Sequence, residues 1–368
     1  HTAMRVAAVY RCVAIIAGAI ASMRLPVYQR TDNLDGRQRI PHDLWWLLNE
    51  QPHPRITAAA FWEFIVASML LRGDGYALIR RNVNGRPIMF EPLRYNQVIS
   101  ERLKDGRLFY AVNDNGRTFG VDQDDMLHAP GFGFGLDADG CHGMSVIGWA
   151  ARQAIGIAIQ ADRFAGQFYG SGAHPAHALK SAKKMSPELV EQLRSEYMAK
   201  YSGQGITGVP LVLTEGLEVA DISMNATDAQ FLETRSFQRN DICIAFGVPP
   251  FMIGDTEKAS SWGTGIEMMS LGFTKYTLQP HINRIEQELN RKLFRGASPF
   301  VEFDVDSLTR ADSKTRAEVD RQQVGGSQGP GWKTINEIRA ERNLPPIDGG
   351  NELYNPTRTP ANASPDQP

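Results

Sequence analysis

Apolar residues near the start of the chain recur with the period of a helix. Val6, Val9, Val13, Ile16 and Ile20 are separated by three or four residues, which places them on one helix face. Two preceding arginines and a small-residue tripeptide within the run also resemble a secretory signal. The run is shorter than the roughly 18 to 20 apolar residues of a membrane span, and it leads directly into strand-like LPVYQR. A packed helix is therefore favoured, and no membrane segment is expected.

The next hundred residues alternate between strand-like runs and turn dipeptides. The runs are LPVYQR, GYALIRR, RPIMFEPL and RLFYAV, and the dipeptides are Asn84-Gly85, Asp105-Gly106 and Asn115-Gly116. Asn-Gly and Asp-Gly favour the tight turns that join antiparallel strands. Residues 24–130 are therefore predicted to mix helices with an antiparallel sheet, which makes the fold class α+β.

Two long helices are predicted to flank a small insert. The first runs from Ser145 to Gly170. The second begins at Thr227, where Thr-x-x-Gln fits a capping box, and ends at Phe246 with Gly247 as the stop residue. Between them lie HALKS, a helix opened by Ser-Pro-Glu, then PLVLTEG and LEVADISM. This order predicts a β-α-β-β insert.

A third long helix, from Thr264 to Arg295, contains a proline in its middle. Pro280 has no N–H to donate to the Tyr276 carbonyl, so the helix is predicted to kink there. Its apolar stripe consists of Ile266, Met269, Phe273, Tyr276, Ile282, Ile285, Leu289 and Leu293.

The C-terminal part is predicted to be a strand followed by short helices. After strand-like FVEFDVDSL, helices are expected from Arg310 to Val324 and from Thr334 to Arg342, with a glycine-rich break between them. Residues 356–368 are too polar and proline-rich to pack, so a flexible tail is expected there.

The whole chain is close to electrically neutral. Its 368 residues include 39 Lys plus Arg and 41 Asp plus Glu, for a net charge of −2, which argues against a strongly basic nucleic-acid-binding protein. Cys12, Cys141 and Cys243 are far apart and form no CxxC pair, which disfavours a disulfide framework or a zinc site and favours a reducing compartment. The numbering opens on His1 rather than Met, so we expect further residues upstream.

Four short motifs approach known chemical signatures without completing them. GFGFG has Leu136 where a dinucleotide-binding loop needs its third glycine. Asp137–Gly140 begins like a calcium loop but lacks the later acidic ligands. Ser145 misses the G-x-S-x-G spacing by one residue and is more simply a helix cap. HPAH has a proline between its histidines and no third ligand nearby. We therefore expect no catalytic residue, no metal and no cofactor.

The polar stretch FGVPPFMIGDTEKASSWGTGIE, between the second and third long helices, is close in composition to a phosphate-binding loop. That loop needs the spacing G-x-x-x-x-G-K-[ST] after a strand, whereas here a helix precedes and Lys258 follows Glu257. An enzyme that binds nucleotides through its Gly-rich loops is an alternative hypothesis, and it predicts ATP hydrolysis that is lost in Lys258→Ala.

Several segments, in this order, resemble the portal proteins of tailed bacteriophages, and the resemblance extends over more than 300 residues. The segments are AVYRCVAIIAGAIASMRLPVY, LLNEQPHPRITAAAFWEFIVASMLLRGDGYALIRR, DGCHGMSVIGWA, TDAQFLETRSFQRNDICIAFGVPPFMIG and TINEIRAERNLPPIDGGN. The resemblance implies a non-enzymatic ring of twelve subunits at one capsid vertex, whose channel passes double-stranded DNA during packaging and ejection.

The resemblance also implies partners, a location and a division of the chain. The partners are the terminase large subunit, the major capsid protein and the head-tail adaptor; the location is the virion, after assembly in the host cytoplasm. A portal-like component of a gene transfer agent would use the same machine. The implied parts are a wing (1–143 and 264–309), stem helices (144–170 and 227–250), a clip (171–226), a channel loop (251–263), a crown (310–355) and the flexible tail (356–368).

Three sets of site residues are expected, and the first is what the resemblance implies. The loop that meets DNA comprises Asp255, Thr256, Glu257, Lys258, Ala259, Ser260, Ser261 and Trp262. The helix hinge comprises Gly247, Pro249, Pro250 and Pro280, and the channel-lining stem residues are Arg235, Gln238 and Arg239. In this interpretation Lys258 touches phosphates, Asp255 and Glu257 keep the contacts brief, and Trp262 anchors the loop. Without the resemblance, a solvated surface loop with a packed tryptophan is the simpler interpretation.

Overall fold

A computed structural model describes residues 2–30, 36–137, 139–170, 177–181, 186–192, 195, 217–221, 227–254, 264–294, 298–308, 313–326, 329–341 and 344–353. The chain divides into two compact units, His1–Asp304 and Val305–Pro368.

The first unit begins with helices packed against one another. Helix α1 (Ala7–Ser22) packs on α3 (Ala58–Arg72), and the short α2 (Leu44–Asn49) lies beside α3. The buried face of α1 includes Val9, Val13, Ile16 and Ile20, which confirms the helix predicted from their spacing. No helix among the described residues is both long and apolar enough to cross a bilayer.

Three small antiparallel sheets complete the N-terminal part of this unit. The first has β3 (Asp74–Arg81) between β4 (Pro87–Leu93) and β8 (Met126–Pro130). The second has β6 (Leu108–Asp114) between β5 (Val98–Arg102) and β7 (Arg117–Asp122). In the third, β1 (Val27–Arg30) lies between β2 (Arg37–Arg39) and β11 (Phe300–Val301). Tyr76 of β3 and Tyr110 of β6 lie in one buried cluster, with ring centroids 6.1 Å apart, so the first two sheets share a core.

The hairpin turns are where the dipeptides place them. Gly85, Gly106 and Gly116 all have positive φ, at 76°, 86° and 88°, a region that favours glycine. The strands β5 and β7 were not predicted, because VISER and RTFGVD each contain only a few apolar residues. Both are edge strands of their sheet, so each pairs with a neighbouring strand on one side only.

The helix predicted from Ser145 to Gly170 is interrupted, and this expectation was wrong in detail. Helix α4 (Val146–Trp149) is followed by α5 (Arg152–Gly170), because the amide of Ala151 bonds back five residues to the carbonyl of Val146 and ends the first helix in a wide turn. After this turn, Ile155 is buried and Ile157 is half exposed. Ser145 caps α4 as predicted, since its Oγ accepts from the amide of Gly148 at 3.0 Å.

The insert is described only in part. Strand β9 (His177–Ser181) pairs antiparallel with β10 (Leu217–Asp221), and residues 187–192 form a helix, α6. Ser186 Oγ accepts from the amide of Leu189, which supports its predicted role as a cap. The strand predicted for PLVLTEG lies outside the described residues.

Two further long helical segments follow the insert. Helix α7 (Thr227–Phe246) leads to a 3₁₀ turn at Pro250–Ile253, and α8 (Thr264–Gly272) continues through a π-helical segment, Phe273–Leu278, into α9 (Gln279–Leu293). The π segment breaks the predicted apolar stripe: Phe273 is buried, whereas Tyr276 is 74% exposed. Ile282, Ile285 and Leu289 of α9 are buried as predicted.

The strand predicted for FVEFDVDSL is shorter than expected. Only Phe300 and Val301 pair with β1, and the next backbone amides bond elsewhere. The amide of Phe303 donates to Glu286 Oε1 and that of Asp304 donates to the Arg24 carbonyl, so the chain leaves the sheet after Val301.

The described residues of the second unit form a short 3₁₀ helix (Val305–Ser307), two α-helices and a minimal hairpin. Helix α10 (Ser313–Val324) is followed by β12 (Gly325–Gly326) and β13 (Gly329–Pro330), which pair antiparallel, and by α11 (Ile335–Glu341). A capping box starts α11, because Thr334 Oγ1 accepts from the Glu337 amide while Glu337 Oε2 accepts from the Thr334 amide. The tail, 356–368, is outside the described residues.

A contact between three glycines joins α3, β8 and the segment that leads into α4. Gly73 ends α3 with φ 98°, and its carbonyl accepts from the amide of Gly131 at 2.6 Å. A Cβ on Gly143 would lie 2.5 Å from both the Gly131 nitrogen and the Gly73 oxygen. Only a residue without a side chain fits between these backbones.

We expect Gly143→Ala to lower the free energy of unfolding by about 1–3 kcal/mol, because backbone rather than a movable side chain opposes the new methyl group. Gly156→Ala is the matched control. Gly156 is exposed within α5 and nothing lies near its added Cβ, so this change should raise stability by about 0.5–1 kcal/mol. Denaturant unfolding of both variants measures the difference, and equal effects would contradict the glycine contact.

Candidate functional site

The end of α7 is built to turn the chain sharply. Gly247 has φ 67°, its amide donates to the Ile244 carbonyl at 3.1 Å, and the amide of Val248 donates to the Cys243 carbonyl at 2.9 Å. A glycine in the left-handed region directly after the last helical residue is a common way for a helix to end. The predicted stop at Gly247 is confirmed.

The two prolines after Gly247 set the direction of the following segment. Pro249 is extended, with φ −58° and ψ 134°, and Pro250 occupies the first position of the 3₁₀ turn. The turn ends at Gly254, which is left-handed with φ 93°. The backbone is therefore fixed up to the residue before Asp255. Of the predicted channel loop, 251–263, residues 251–254 belong to this turn, whereas 255–263, including all residues expected to meet DNA, lie outside the described residues.

One hydrogen bond ties the end of α7 to the helix that follows the loop. Thr277 Oγ1 donates to the Gly247 carbonyl at 2.6 Å. A Cβ on Gly247 would lie 2.7 Å from the same hydroxyl, so the two residues are in close contact. Thr277 was not predicted, because no local pattern marks a threonine within a helix as the partner of a residue thirty positions away.

Pro280 lies three residues after Thr277, next to the π-helical segment. The amide of Gln279 donates to the Thr274 carbonyl, five residues back, which is the bonding pattern of a π-helix. The helix thus continues through Pro280 by winding more widely before it. All four predicted hinge residues therefore belong to two segments joined at Gly247 and Thr277.

The predicted channel-lining residues on α7 differ in exposure. The side chain of Arg235 lies outside the described part. Gln238 is only 5% exposed, and no partner of its buried Oε1 is found among the described residues. Burial within its own chain argues against Gln238 as a channel-facing residue. Arg239 is partly exposed, and its Nη2 donates to Ser236 Oγ at 3.4 Å.

A second polar arrangement, missed by sequence reasoning, holds the segment that leads into α4. The fully buried carboxylate of Asp74 accepts from His128 Nε2 at 2.8 Å, from His142 Nδ1 at 3.1 Å and from the amide of Gly143 at 2.9 Å. The neighbouring hydroxyls of Tyr110 and Tyr76 contact the two imidazoles. We call Asp74, His128, His142 and Gly143 the Asp74 cluster. Only the juxtaposition of β3, β8 and the 131–144 segment reveals it.

The Asp74 cluster perturbs the pKa values of its members. Burial opposes ionisation of Asp74, but hydrogen bonds from His128 and His142 outweigh burial and lower the pKa of the carboxyl group. The pKa of His142 is raised, chiefly by its hydrogen bond to Asp74, against the opposing effect of burial and with help from Asp137 and Asp139. No group of three or more metal-binding side chains occurs within the described residues.

Comparison with known proteins gives the family. The model of the phage portal protein family matches residues 7–343. The chain is also 32% identical over 357 residues to the portal protein of Enterobacteria phage HK97, which covers 94% of this chain and 80% of that protein. This chain belongs to the phage portal protein family.

Solved structures agree with the portal fold. A chain in the neck of a native gene transfer agent particle, computed with C12 symmetry, is 24% identical with a TM-score of 0.64, and the match covers 94% of this chain and 93% of that one. An HK97-family phage portal protein from Corynebacterium diphtheriae is 18% identical with a TM-score of 0.59, over 83% and 94% of the two chains. The portal family is structural, and the mixed helix-and-sheet fold predicted from sequence is confirmed in outline.

We expect Thr277→Val to destabilise the end of α7 by about 1 kcal/mol, because it removes the hydroxyl that donates to the Gly247 carbonyl while keeping the side-chain shape. Thr277→Ser keeps the donor and is the control. Hydrogen exchange at the Val248 amide reports opening of the helix end and should accelerate about fivefold in the valine variant, a change equivalent to roughly 1 kcal/mol. Equal exchange in both variants would contradict the coupling.

The raised pKa of His142 makes the Asp74 cluster sensitive to pH. The charged imidazolium binds Asp74 more strongly in the folded chain, so its contribution is complete below the unfolded pKa near 6.5 and is lost as pH rises through the higher folded value. His142→Gln supplies a neutral donor that does not titrate there. We expect the stability difference between wild type and variant, from thermal melts across this range, to shrink with rising pH. A constant difference would contradict the prediction.

Proposed function

We propose that this portal protein forms a ring of twelve subunits at one vertex of a phage-like capsid, with a central channel for packaging and ejecting double-stranded DNA. The observation that carries the proposal is the match, over 94% of the chain, to a subunit of a neck with C12 symmetry. The particle is a phage head or that of a gene transfer agent, since relatives come from both kinds.

Exposed apolar side chains on α7 and α8 support self-association. In the single chain, Phe237 and Ile244 of α7 are 67% and 76% exposed, and Met268 and Leu271 of α8 are 72% and 59% exposed. Large apolar side chains concentrated in neighbouring segments are typical of surfaces that another protein covers. We assign these faces to contacts between neighbouring subunits, with Tyr276 at their edge.

The nearly neutral charge of the chain is compatible with a channel through which DNA slides. Each Lys or Arg that contacts a phosphate adds affinity through the release of counterions, and a ring multiplies every contact by the number of subunits. A net charge of −2 per chain limits this affinity, so DNA can slide. The loop 255–262 carries one lysine among two acidic residues and small hydroxyls, a composition that keeps contacts weak.

The geometry at the ends of the loop supports its assignment to the channel. Gly247 and the two prolines fix the chain up to Gly254, and α8 leads from the far end of the loop to Thr277, which returns to Gly247. The two helical segments on either side of this short polar segment are therefore joined by a hydrogen bond. We assign Asp255 to Trp262 as the part that meets DNA, with Lys258 contacting phosphates and Arg235 and Arg239 lining the adjacent channel.

The remaining parts are assigned by family resemblance. Residues 171–226 form the clip that docks the terminase large subunit and later the head-tail adaptor, and 310–355 form the crown. Residues 1–143 and 264–309 form the wing, which lies against the major capsid protein in the virion. The stem helices, 144–170 and 227–250, connect the wing to the clip.

Particles assembled with a loop variant test the proposal. Replacing residues 256–261 by glycine and serine should leave rings visible by electron microscopy but strongly reduce the number of DNA-filled heads, since the contacts with the DNA are removed. Truncation after residue 355 removes only the predicted tail and is the control, with rings and DNA filling expected at wild-type levels. Normal DNA filling in the loop variant would contradict the role of the loop.

The purified full chain provides the second arm of the same experiment. We expect ring images and a mass of twelve times that of the subunit. Monomers alone at high concentration, with no rings in particles, would overturn the ring. ATP hydrolysis by the purified chain that is lost in Lys258→Ala would instead favour the nucleotide-binding enzyme.

A further inference from the structure

Two cysteines that are far apart in sequence meet in the core of the first unit. Cys12 lies on the buried face of α1, and Cys243 lies in the last turn of α7; both are fully buried. Their side chains are hydrogen-bonded to each other, thiol to thiol. The helices that carry them pack together, so the contact belongs to a helix interface rather than to a loop.

Cys243 also takes part in ending α7. Its carbonyl accepts from the amide of Val248, the residue directly after Gly247. A covalent bond at Cys243 would therefore attach α1 to α7 one turn before the segment that turns into the 3₁₀ helix. Val13 of α1 and Phe246 of α7, close to the two cysteines in sequence, are also buried.

We propose that Cys12 and Cys243 are a latent disulfide pair, which is reduced while the protein is in a reducing cytoplasm and closes when a peroxide oxidises it after the protein leaves that compartment. The pairing follows from the contact between the two thiols and does not depend on the proposed DNA channel. The sequence alone argued against a disulfide because it shows neither a CxxC pair nor an even cysteine count.

The reaction balances with hydrogen peroxide as the oxidant. The thiolate of one cysteine attacks a peroxide oxygen, the O–O bond breaks, and a sulfenic acid forms while hydroxide takes up the released proton as water. The second thiol then attacks the sulfenic sulfur, the S–S bond forms, and a second water leaves. Two thiols are thereby oxidised and one peroxide is reduced to two waters.

The surroundings of the pair explain why it stays reduced in the cell. The mutual hydrogen bond, and after it burial, raise the pKa of the Cys12 thiol, so the reactive thiolate is scarce in the closed structure. Peroxide must reach the thiols through transient opening of the α1–α7 interface. Oxidation is therefore slow, but the disulfide, once formed, is shielded from reductants by the same burial.

Cys141 provides an internal control. It is also buried, and its Sγ donates to the Asp139 carbonyl at 3.2 Å rather than to another thiol. It belongs to the segment that carries His142 of the Asp74 cluster, away from both α1 and α7 in sequence. Peroxide can oxidise Cys141 alone only to oxygen acids, not to an internal disulfide.

The experiment exposes the purified full chain to hydrogen peroxide, quenches it, and counts thiols after denaturation, with peptide mapping under non-reducing conditions. In the wild type we expect two of the three thiols to disappear, a linked peptide pair containing Cys12 and Cys243, and recovery of both thiols with a phosphine reductant. Cys141→Ala should still form the linked pair, and Cys12→Ala should not.

If Cys12→Ala folds poorly, peptide mapping of the oxidised wild-type protein is sufficient to test the proposal. Closing a long loop restricts the unfolded chain, so the oxidised protein should melt several degrees above the reduced protein, a shift that the reductant reverses. Three intact thiols after prolonged oxidation, a linked pair that involves Cys141, or disulfides only between subunits would each overturn the proposal. The ring and DNA experiments above do not affect this outcome.

Discussion

A single buried carboxylate organises the junction between the sheets and the helices of this portal protein. Asp74 opens β3 and accepts hydrogen bonds from β8, through His128, and from the segment that leads into α4, through His142 and the Gly143 amide. A fully buried charge without partners would cost several kcal/mol, so these three donors are what makes the buried carboxylate tolerable. Gly73, directly before Asp74, completes the junction by letting Gly131 and Gly143 approach backbone to backbone.

The end of α7 is held by a smaller set of contacts. Gly247 ends α7 in a conformation that favours glycine, and Thr277 secures its carbonyl from the far side of the loop. This hydrogen bond joins the described segments on either side of residues 255–263 to one another. The residues between these segments carry one lysine among two acidic residues and small hydroxyls, and the proposed weak contact with DNA rests on that composition.

The sequence predicts those features that depend on local physics. Periodic apolar residues predict α1 and α9, Asn-Gly and Asp-Gly dipeptides predict the hairpin turns, and Ser145 and Gly247 predict the start of α4 and the end of α7. The family resemblance supplied the portal assignment, which composition and motifs would not have reached. The break at Ala151, the Asp74 cluster, the Thr277 contact and the Cys12–Cys243 pair depend on which segments meet in space. Local sequence patterns do not show which segments pack together, and for the same reason they did not predict the burial of Gln238.

The π-helical segment before Pro280 has one more consequence. A π turn accommodates one additional residue, and each residue advances a helix by about 100° around its axis. The side chains before Phe273 and those after Leu278 are therefore out of phase by more than a quarter of a rotation relative to an uninterrupted α-helix. Met268 and Leu271, before the π segment, are thus exposed, whereas Ile282, Ile285 and Leu289, after it, are buried. The π-helical segment therefore rotates the apolar face of the helix, so that the residues before it and the residues after it can pack against different surfaces.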